Sequence, residues 1–260
     1  MFFSRVSICV VLFCLVSLPS CKYQTLEQGM VEFDEAFIPA WFYVLQNDLD
    51  RAYPAYLFLE KRSIQFQNDY QKFKVNDDWD EHFRRIGDWL KDAKYALKNQ
   101  DQHNALMALD HVRYELMELR LQHGSNYYLD RIWGFEILLD EVVEIAQDPL
   151  LCLVEYQYFE DLVTVMNDQW VGCLVLREEL EIFEFSPEEE KLYARSIRNI
   201  TNILVEFNEA VACGDGEMFS EKASEIWPAY LHLISVFGDF ESSNTNFAAI
   251  SQDAESLTME

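Results

Sequence analysis

The sequence predicts an all-α protein, and three observations support this prediction. Glycine and proline are scarce, with 8 and 6 in 260 residues, so few positions break a helix. Apolar residues recur at spacings of three and four rather than two, which is the period of an amphipathic helix. Half of the residues are hydrophobic, which is enough for a folded core rather than a disordered acidic chain.

Seven helices are predicted, joined by short turns. They cover 33–73, 78–98, 102–122, 127–148, 151–184, 187–212 and 217–239. Pro39 and Pro54 lie inside the first helix, which we expect to be kinked or split. Ser186 is placed to cap the sixth helix, with Pro187 at its first position and Glu189 at its third.

The chain also resembles itself. Residues 85–116 align with 199–230, and the matched pairs are Leu90 with Leu204, Ala96 with Ala210, Asp101 with Asp215 and Val112 with Ile226. This predicts a tandem duplication of one long helix followed by a tight helical hairpin.

Short connections make neighbouring helices antiparallel, so the duplication predicts two up-and-down bundles, at 33–149 and 150–240. The helix at 127–148 either completes the first bundle or links the two. Residues 21–32 are expected to form a tether and 241–260 a disordered tail.

The first 20 residues have the pattern of an export signal. Arg5 is their only charge, and an apolar run follows it. The run ends in Leu-Pro-Ser-Cys at 18–21, which resembles the lipobox of bacterial lipoproteins. The resemblance implies that residues 1–20 are removed and that Cys21 is acylated and holds the protein in the bilayer. An ordinary secretory signal and an uncleaved anchor are the alternatives. Lys22 after the cysteine implies sorting to the outer membrane, facing the periplasm.

The charge of the chain is strongly negative. Loss of residues 1–20 leaves 19 basic and 46 acidic residues, a formal charge of −27. Such a protein repels nucleic acid and is expected to associate with cations or basic proteins. Cys152, Cys173 and Cys213 form no CxxC pair, and we expect buried, apolar thiols.

Two polar groupings are candidates for a site. His103, Met107 and His111 follow one another at steps of four on the helix at 102–122, on the face opposite the apolar stripe. They are expected to point outward and to bind a metal only with help from a second helix, because structural zinc needs four ligands. Arg113 and Arg120 lie at the edge of the apolar stripe, and Glu136 faces them from the next helix. Tyr114, Tyr128 and Asp140 are close enough in sequence to complete a buried network, which either fixes the helix register or forms a carboxylate-rich pocket for a cation.

The stretch at 186–233 resembles the last two helices of the soluble b-type four-helix-bundle cytochromes, in its Ser-Pro start, its glycine-rich turn and its late histidine. In that family a methionine and a histidine ligate haem. Met166 lies on an apolar stripe and fits this role, whereas His232 lies opposite the apolar face of its helix.

No catalytic motif is found in the chain. The sequence therefore predicts a non-catalytic helical lipoprotein without a cofactor, which binds a basic envelope protein through its acidic surfaces. The alternative is a periplasmic carrier that holds a divalent metal or haem in a bundle core.

Overall fold

The computed structural model describes residues 26–70, 77–122, 124–148, 156–175 and 177–243, and within them every regular element is a helix. The predicted all-α bundle fold is confirmed. The α-helices are α1 (Leu26–Leu45), α2 (Leu49–Tyr70), α3 (Asp77–Lys98), α4 (Gln102–Gln122), α5 (Tyr128–Gln147), α6 (Tyr156–Val175), α7 (Pro187–Cys213) and α8 (Gly216–Ile234). Two 3-10 segments, Arg177–Phe183 and Ser235–Phe237, follow α6 and α8.

The first predicted helix is two helices, and the break is not at either proline. Pro39 and Pro54 lie inside α1 and α2, whereas the chain turns at 46–48. Asn47 adopts a left-handed backbone with φ of 55°, a conformation that asparagine tolerates better than most residues. The predicted tether is also too long, because α1 begins at Leu26 and already buries Met30 and Val31.

Three of the helical hairpins turn in the same way. Each turn has one residue with positive φ, namely Asn47, Gln100 and Gly214. An aspartate follows in every case, and its N–H donates to the carbonyl five residues earlier: Asp48 to Tyr43, Asp101 to Ala96 and Asp215 to Ala210, at 2.9 to 3.0 Å. The aspartate then caps the next helix by accepting an N–H from the residue three positions on. The sequence alignment matched Asp101 with Asp215, and these two residues have the same place in their turns.

The helices pack as two sets of four in which each helix contacts its chain neighbours. In the first set α1 contacts α2 and α4, and α3 contacts α2 and α4. In the second set α5 contacts α6 and α8, and α7 contacts α6 and α8. The boundary predicted at 149 therefore lies one helix too late, because α5 packs with α6 and α8. Short turns between apolar faces produce this closed antiparallel arrangement.

One hydrophobic cluster runs through both sets of helices. Trp41 of α1 and Trp133 of α5 meet edge to face within it, with ring centroids 5.2 Å apart. The segment after α8 returns to α1, where Asp239 N donates to Glu35 O at 2.8 Å.

Residues 240–243 continue as a helical turn, so the predicted tail does not begin at 241; its remainder, 244–260, lies outside the described residues. No helix among the described residues is long and apolar enough to span a membrane.

Candidate functional site

Arg113 lies at the junction of the two helix sets, between carboxylates from two helices. Its Nη1 donates to Oε2 of Glu136 on α5 at 2.5 Å, and its Nη2 is 3.3 Å from Oδ1 of Asp110 on its own helix. Trp41 Nε1 donates to the same Asp110 oxygen at 3.0 Å. The side chain of Arg113 is 4% exposed, so this charge is held by protein groups rather than by water.

Aromatic rings enclose the Arg113 guanidinium. Its central carbon lies 4.5 Å from the ring centroid of Trp133, 5.1 Å from that of Tyr114 and 5.7 Å from that of Trp41. Such cation–π contacts are strongest where the cation is desolvated. Arg113 Nε, Trp133 Nε1 and the Tyr230 hydroxyl are buried without a hydrogen-bond partner among the described residues. The cluster therefore keeps polar capacity that its own side chains do not use.

Arg120 forms a second, separate centre. Its Nε donates to both carboxylate oxygens of Asp130 at 2.8 and 3.0 Å. Oδ2 of Asp34 on α1 lies 3.8 Å from its Nη1. The guanidinium packs over the ring of Tyr127 at 4.4 Å. Arg120 thus ties α1, α4 and the start of α5 together.

Burial raises the pKa of the carboxylates in both centres. Desolvation is the main cause for Glu136, whose pKa is raised to about 7, and Arg113 opposes it. Desolvation likewise raises the pKa of Asp34 to about 6, against the effect of Arg120. Beside these centres, burial and the neighbouring Asp239 raise the pKa of Glu35 to about 7.

The structure brings only part of the predicted polar cluster together. Arg113 and Glu136 meet as expected, but Arg120 pairs with Asp130 and not with Glu136. The reason is the antiparallel register of α4 and α5. Seven residues separate the two arginines, about 10 Å along a helix, so a single carboxylate cannot reach both.

Tyr128 and Asp140 are not direct partners of the arginines. The hydroxyl of Tyr128 is 2.5 Å from that of Tyr193 on α7. Asp140 is exposed and acts on Glu136 and Asp110 only as a nearby negative charge. Asp34, Asp110 and Asp130 were not predicted from the sequence, although antiparallel pairing of α4 with α5 would have indicated Asp130.

The His/Met face predicted on α4 does not form one group. His103 and Met107 are exposed, and His111 is half-buried with its ring stacked on Trp89, the centroids being 4.1 Å apart. Within the described residues, no three His, Cys, Asp or Glu side chains are arranged to hold a metal ion.

The proposed haem-ligand pair is not assembled either. Met166 is fully buried in the core. His232 is exposed and lines a surface pocket with Phe42 and Arg51, near the C-terminal end of α8. His232 therefore lies on the outer side of α8, as its position opposite Trp227 and Tyr230 indicated.

A buried histidine elsewhere was missed. His82 on α3 is 4% exposed, and its Nδ1 is 2.8 Å from Oε2 of Glu115 on α4. Arg85 Nε donates to the other Glu115 oxygen at 2.9 Å. This trio joins α3 to α4, and its charges are paired within the protein.

The cysteines offer no activated nucleophile among the described residues. Cys173 is buried, as expected, and desolvation raises the pKa of its thiol to about 12. Cys213 is exposed, contrary to expectation, because it ends α7 beside the turn at Gly214. Cys152 and Cys21 lie outside the described residues.

A groove of about 1040 Å³ separates the C-terminal end of α6 from the N-terminal half of α7. The helices are held together at the other end, where Asn167 and Asn208 exchange hydrogen bonds of 2.8 and 3.0 Å. Apolar side chains from both helices and from the 3-10 segment line the groove, together with three glutamates and one arginine. This groove is larger than the pocket beside His232, whose volume is about 520 Å³.

In the residues that the structure describes, the fold and these sites define an all-α protein of two four-helix sets with internally paired buried charges and an acid-lined surface groove. The chain matches no family model, no curated protein and no solved structure at a significant level of similarity. Inference about its function rests on its own residues.

Proposed function

We propose that this protein is an exported, lipid-anchored binding module that holds a basic protein of the cell envelope through its acidic helical surfaces. One observation carries the proposal. Eleven lysine and arginine side chains in the described part of the chain already form ion pairs with carboxylates of the protein itself. Acidic residues outnumber basic ones by 26, so the excess carboxylates are left to external cations.

The arrangement of charge favours binding over catalysis. The buried carboxylates face arginines, and the buried thiol of Cys173 is held in its neutral form. A surface field of one sign attracts a partner of the opposite sign and speeds its association. Salt screens such a surface within about 8 Å at physiological ionic strength.

The binding proposal is tested with full-length protein recovered from its native envelope by mild detergent. We expect proteins of high isoelectric point to co-purify at low salt and to be released by moderate salt. If the co-purifying proteins are not basic and stay bound in high salt, the acidic-surface proposal is contradicted. A Soret band, or stoichiometric copper, iron or zinc in the same preparation, overturns it in favour of the carrier.

The lipid anchor is tested separately on Cys21. We expect the wild-type protein to fractionate with membranes, facing the periplasm, and the Cys21→Ala variant to lose the acyl groups detected by mass spectrometry. A wild-type N-terminus that begins before residue 21, or one that carries no lipid, refutes the anchor. The binding proposal survives that outcome.

A further inference from the structure

The α6–α7 groove has an apolar stripe along one side. On α7 the apolar lining is Tyr193, Ala194 and Ile197, and the polar residues Glu190 and Thr201 lie on the same helix face one turn to either side. Val205 continues this face by one turn beyond Thr201 and is 51% exposed. The helix face from Glu190 to Val205 is about 22 Å long at the rise of an α-helix.

The other side of the groove is also apolar. Leu174 near the end of α6 is 40% exposed, and Val171 is 55% exposed. Val171 lies one turn from Asn167, and Val205 lies one turn from Asn208. The hydrogen-bonded pair Asn167 and Asn208 therefore marks the closed end of the groove. Beyond it the groove is lined by Leu174 of α6 and by Ala194 and Ile197 of α7.

The charged side chains of the groove give it a net negative charge. Glu181, Glu184 and Glu190 line it, against the single cation Arg198. The hydroxyl of Thr201 lies on the same face, donates to Ile197 O at 2.8 Å and accepts a hydrogen bond from Trp170 Nε1 at 3.1 Å. The floor is thus fixed by internal bonds while the rim carries excess negative charge.

We infer that the α6–α7 groove binds one amphipathic helix of a partner protein. The apolar face of that helix would lie on the apolar lining of the groove, with lysines or arginines along the edges of the helix. This inference rests on the proposed function and specifies the site and the partner's form. Burial of the apolar face supplies the free energy of binding, as in other helix-in-groove complexes. The rim selects basic helices by charge complementarity.

Charge also distinguishes this occupant from the chain's own C-terminal residues. Residues 244–260 contain Phe247, Ile250 and Leu257 but carry three acidic residues and no basic one. Their approach to the three rim glutamates is unfavourable.

The probe is a fluorescent peptide of about 15 residues, which as a helix is long enough to span the groove from Glu190 to Val205. It is made of leucine, alanine and lysine, with leucines at i, i+3, i+4 and i+7 and lysines along both edges. We expect the full-length protein to bind it, measured by fluorescence anisotropy, with helix induction seen by circular dichroism. A version with glutamate in place of lysine should bind about tenfold more weakly or not at all, since rim charges then repel it.

Two pairs of substitutions locate the binding. The variant Leu174→Asn, Val205→Asn should weaken binding about tenfold or more, because two exposed apolar contacts are lost. Val165→Asn is the control for the valine substitution, since Val165 is 52% exposed and Val205 51%, and Val165 lies on the opposite side of α6 from Leu174. Reversal of rim charge by Glu181→Lys, Glu190→Lys should weaken binding and its dependence on salt. The control Glu144→Lys, Glu217→Lys has the same net charge and also alters one first-turn glutamate, in α8.

The outcomes separate the groove from the general function. Equal loss in groove and control variants, or no loss in either, overturns the groove while salt-sensitive capture of basic proteins can still hold. Tighter binding of a peptide with the sequence of 244–260 overturns the foreign helix as occupant. A change of oligomeric state in the groove variants, measured by sedimentation, overturns it in favour of a second copy of the chain. Failure of the wild-type protein to capture any basic protein removes the proposed function itself.

Discussion

Arg113 on α4 and Glu136 on α5 form a buried ion pair, with Nη1 2.5 Å from Oε2 and side-chain exposures of 4% and 10%. The pair joins the last helix of the first set to the first helix of the second. Burial of two charges costs several kcal/mol per ion, and their attraction offsets this cost only when the geometry is good. The pair is therefore expected to fix which residues meet at the junction rather than to add much net stability.

Removal of one partner tests this role. Glu136→Leu leaves the Arg113 charge with Asp110 alone and should destabilise the protein by about 3 kcal/mol. The double variant Arg113→Met, Glu136→Leu removes both charges and should recover most of that loss. Urea denaturation of the single and double variants measures both values. A double variant whose loss equals the sum of the losses for Glu136→Leu and Arg113→Met alone contradicts the interpretation.

The contact between Arg113 and Glu136 could be predicted from the sequence because both residues lie at the edge of an apolar helical stripe. The apolar periodicity of α4 and α5 placed Arg113 and Glu136 at the edge of the core, and they meet there. The contact of Arg120 with Asp34 could not be predicted in the same way, because Asp34 comes from a helix 86 residues earlier in the chain. Such contacts depend on how the helix sets pack, and no local pattern encodes that packing.

The raised pKa values of the buried carboxylates predict that stability increases as pH falls from about 7.5 to 5.5. The pKa of Glu136 is raised to about 7 in the folded protein and that of Asp34 to about 6. Between the ordinary pKa values and these raised ones, the folded state holds protons that the unfolded state has released. Stability from these groups is fully present below the ordinary pKa and is lost as pH rises through 6 to 7.

Thermal melts across this range provide the measurement. Glu136→Gln is neutral at every pH and should reduce the pH dependence of the melting temperature, leaving the part that comes from Asp34 and Glu35, whereas Glu118→Gln, at an exposed position, should leave it unchanged. Exposed carboxylates such as Asp88, whose pKa is lowered by Lys91, have the opposite sign but act below about pH 4. A melting temperature that falls on acidification from 7.5 to 5.5 is incompatible with this prediction.

The sequence contains a signal for one further turn, which splits the first predicted helix. The segments at 46–51, 99–104 and 213–218 each place an aspartate after a residue in the left-handed region, and the last two were recognised as turns. The first was not predicted, because the expected kink was placed at Pro39 and Pro54 and not at Asn47 and Asp48. A search for the shared signal of a turn residue followed by an N-cap aspartate would have split the first helix correctly.

The equivalence of the hairpin turns predicts opposite effects at two matched positions. Gln100 and Gly214 have φ of 56° and 67°. A side chain in this region costs about 1 kcal/mol, so Gln100→Gly should stabilise the protein and Gly214→Ala should destabilise it, each by up to about that amount. The control Lys98→Gly changes the last helical residue of α3 and should destabilise, because glycine has a low helix propensity. Chemical denaturation that shows the same sign for Gln100→Gly and Lys98→Gly would show that the turn strain is not released.

Two glycines, Gly238 and Gly172, test the packing of the segment that follows α8. A Cβ on Gly238 would lie 2.8 Å from Ile38 Cγ2, 2.8 Å from the ring of Phe240 and 3.1 Å from Pro39 Cδ. The backbone of Gly238, with φ of −106°, suits any residue, so the cost of Gly238→Ala is steric and should be about 1 to 3 kcal/mol. Gly172 inside α6 has nothing within 4 Å of its Cβ position, and Gly172→Ala should instead stabilise by about 0.5 to 1 kcal/mol. Melting temperatures of the two variants should therefore move in opposite directions. An unchanged melt for Gly238→Ala would mean that the chain after α8 does not pack closely on α1 in solution.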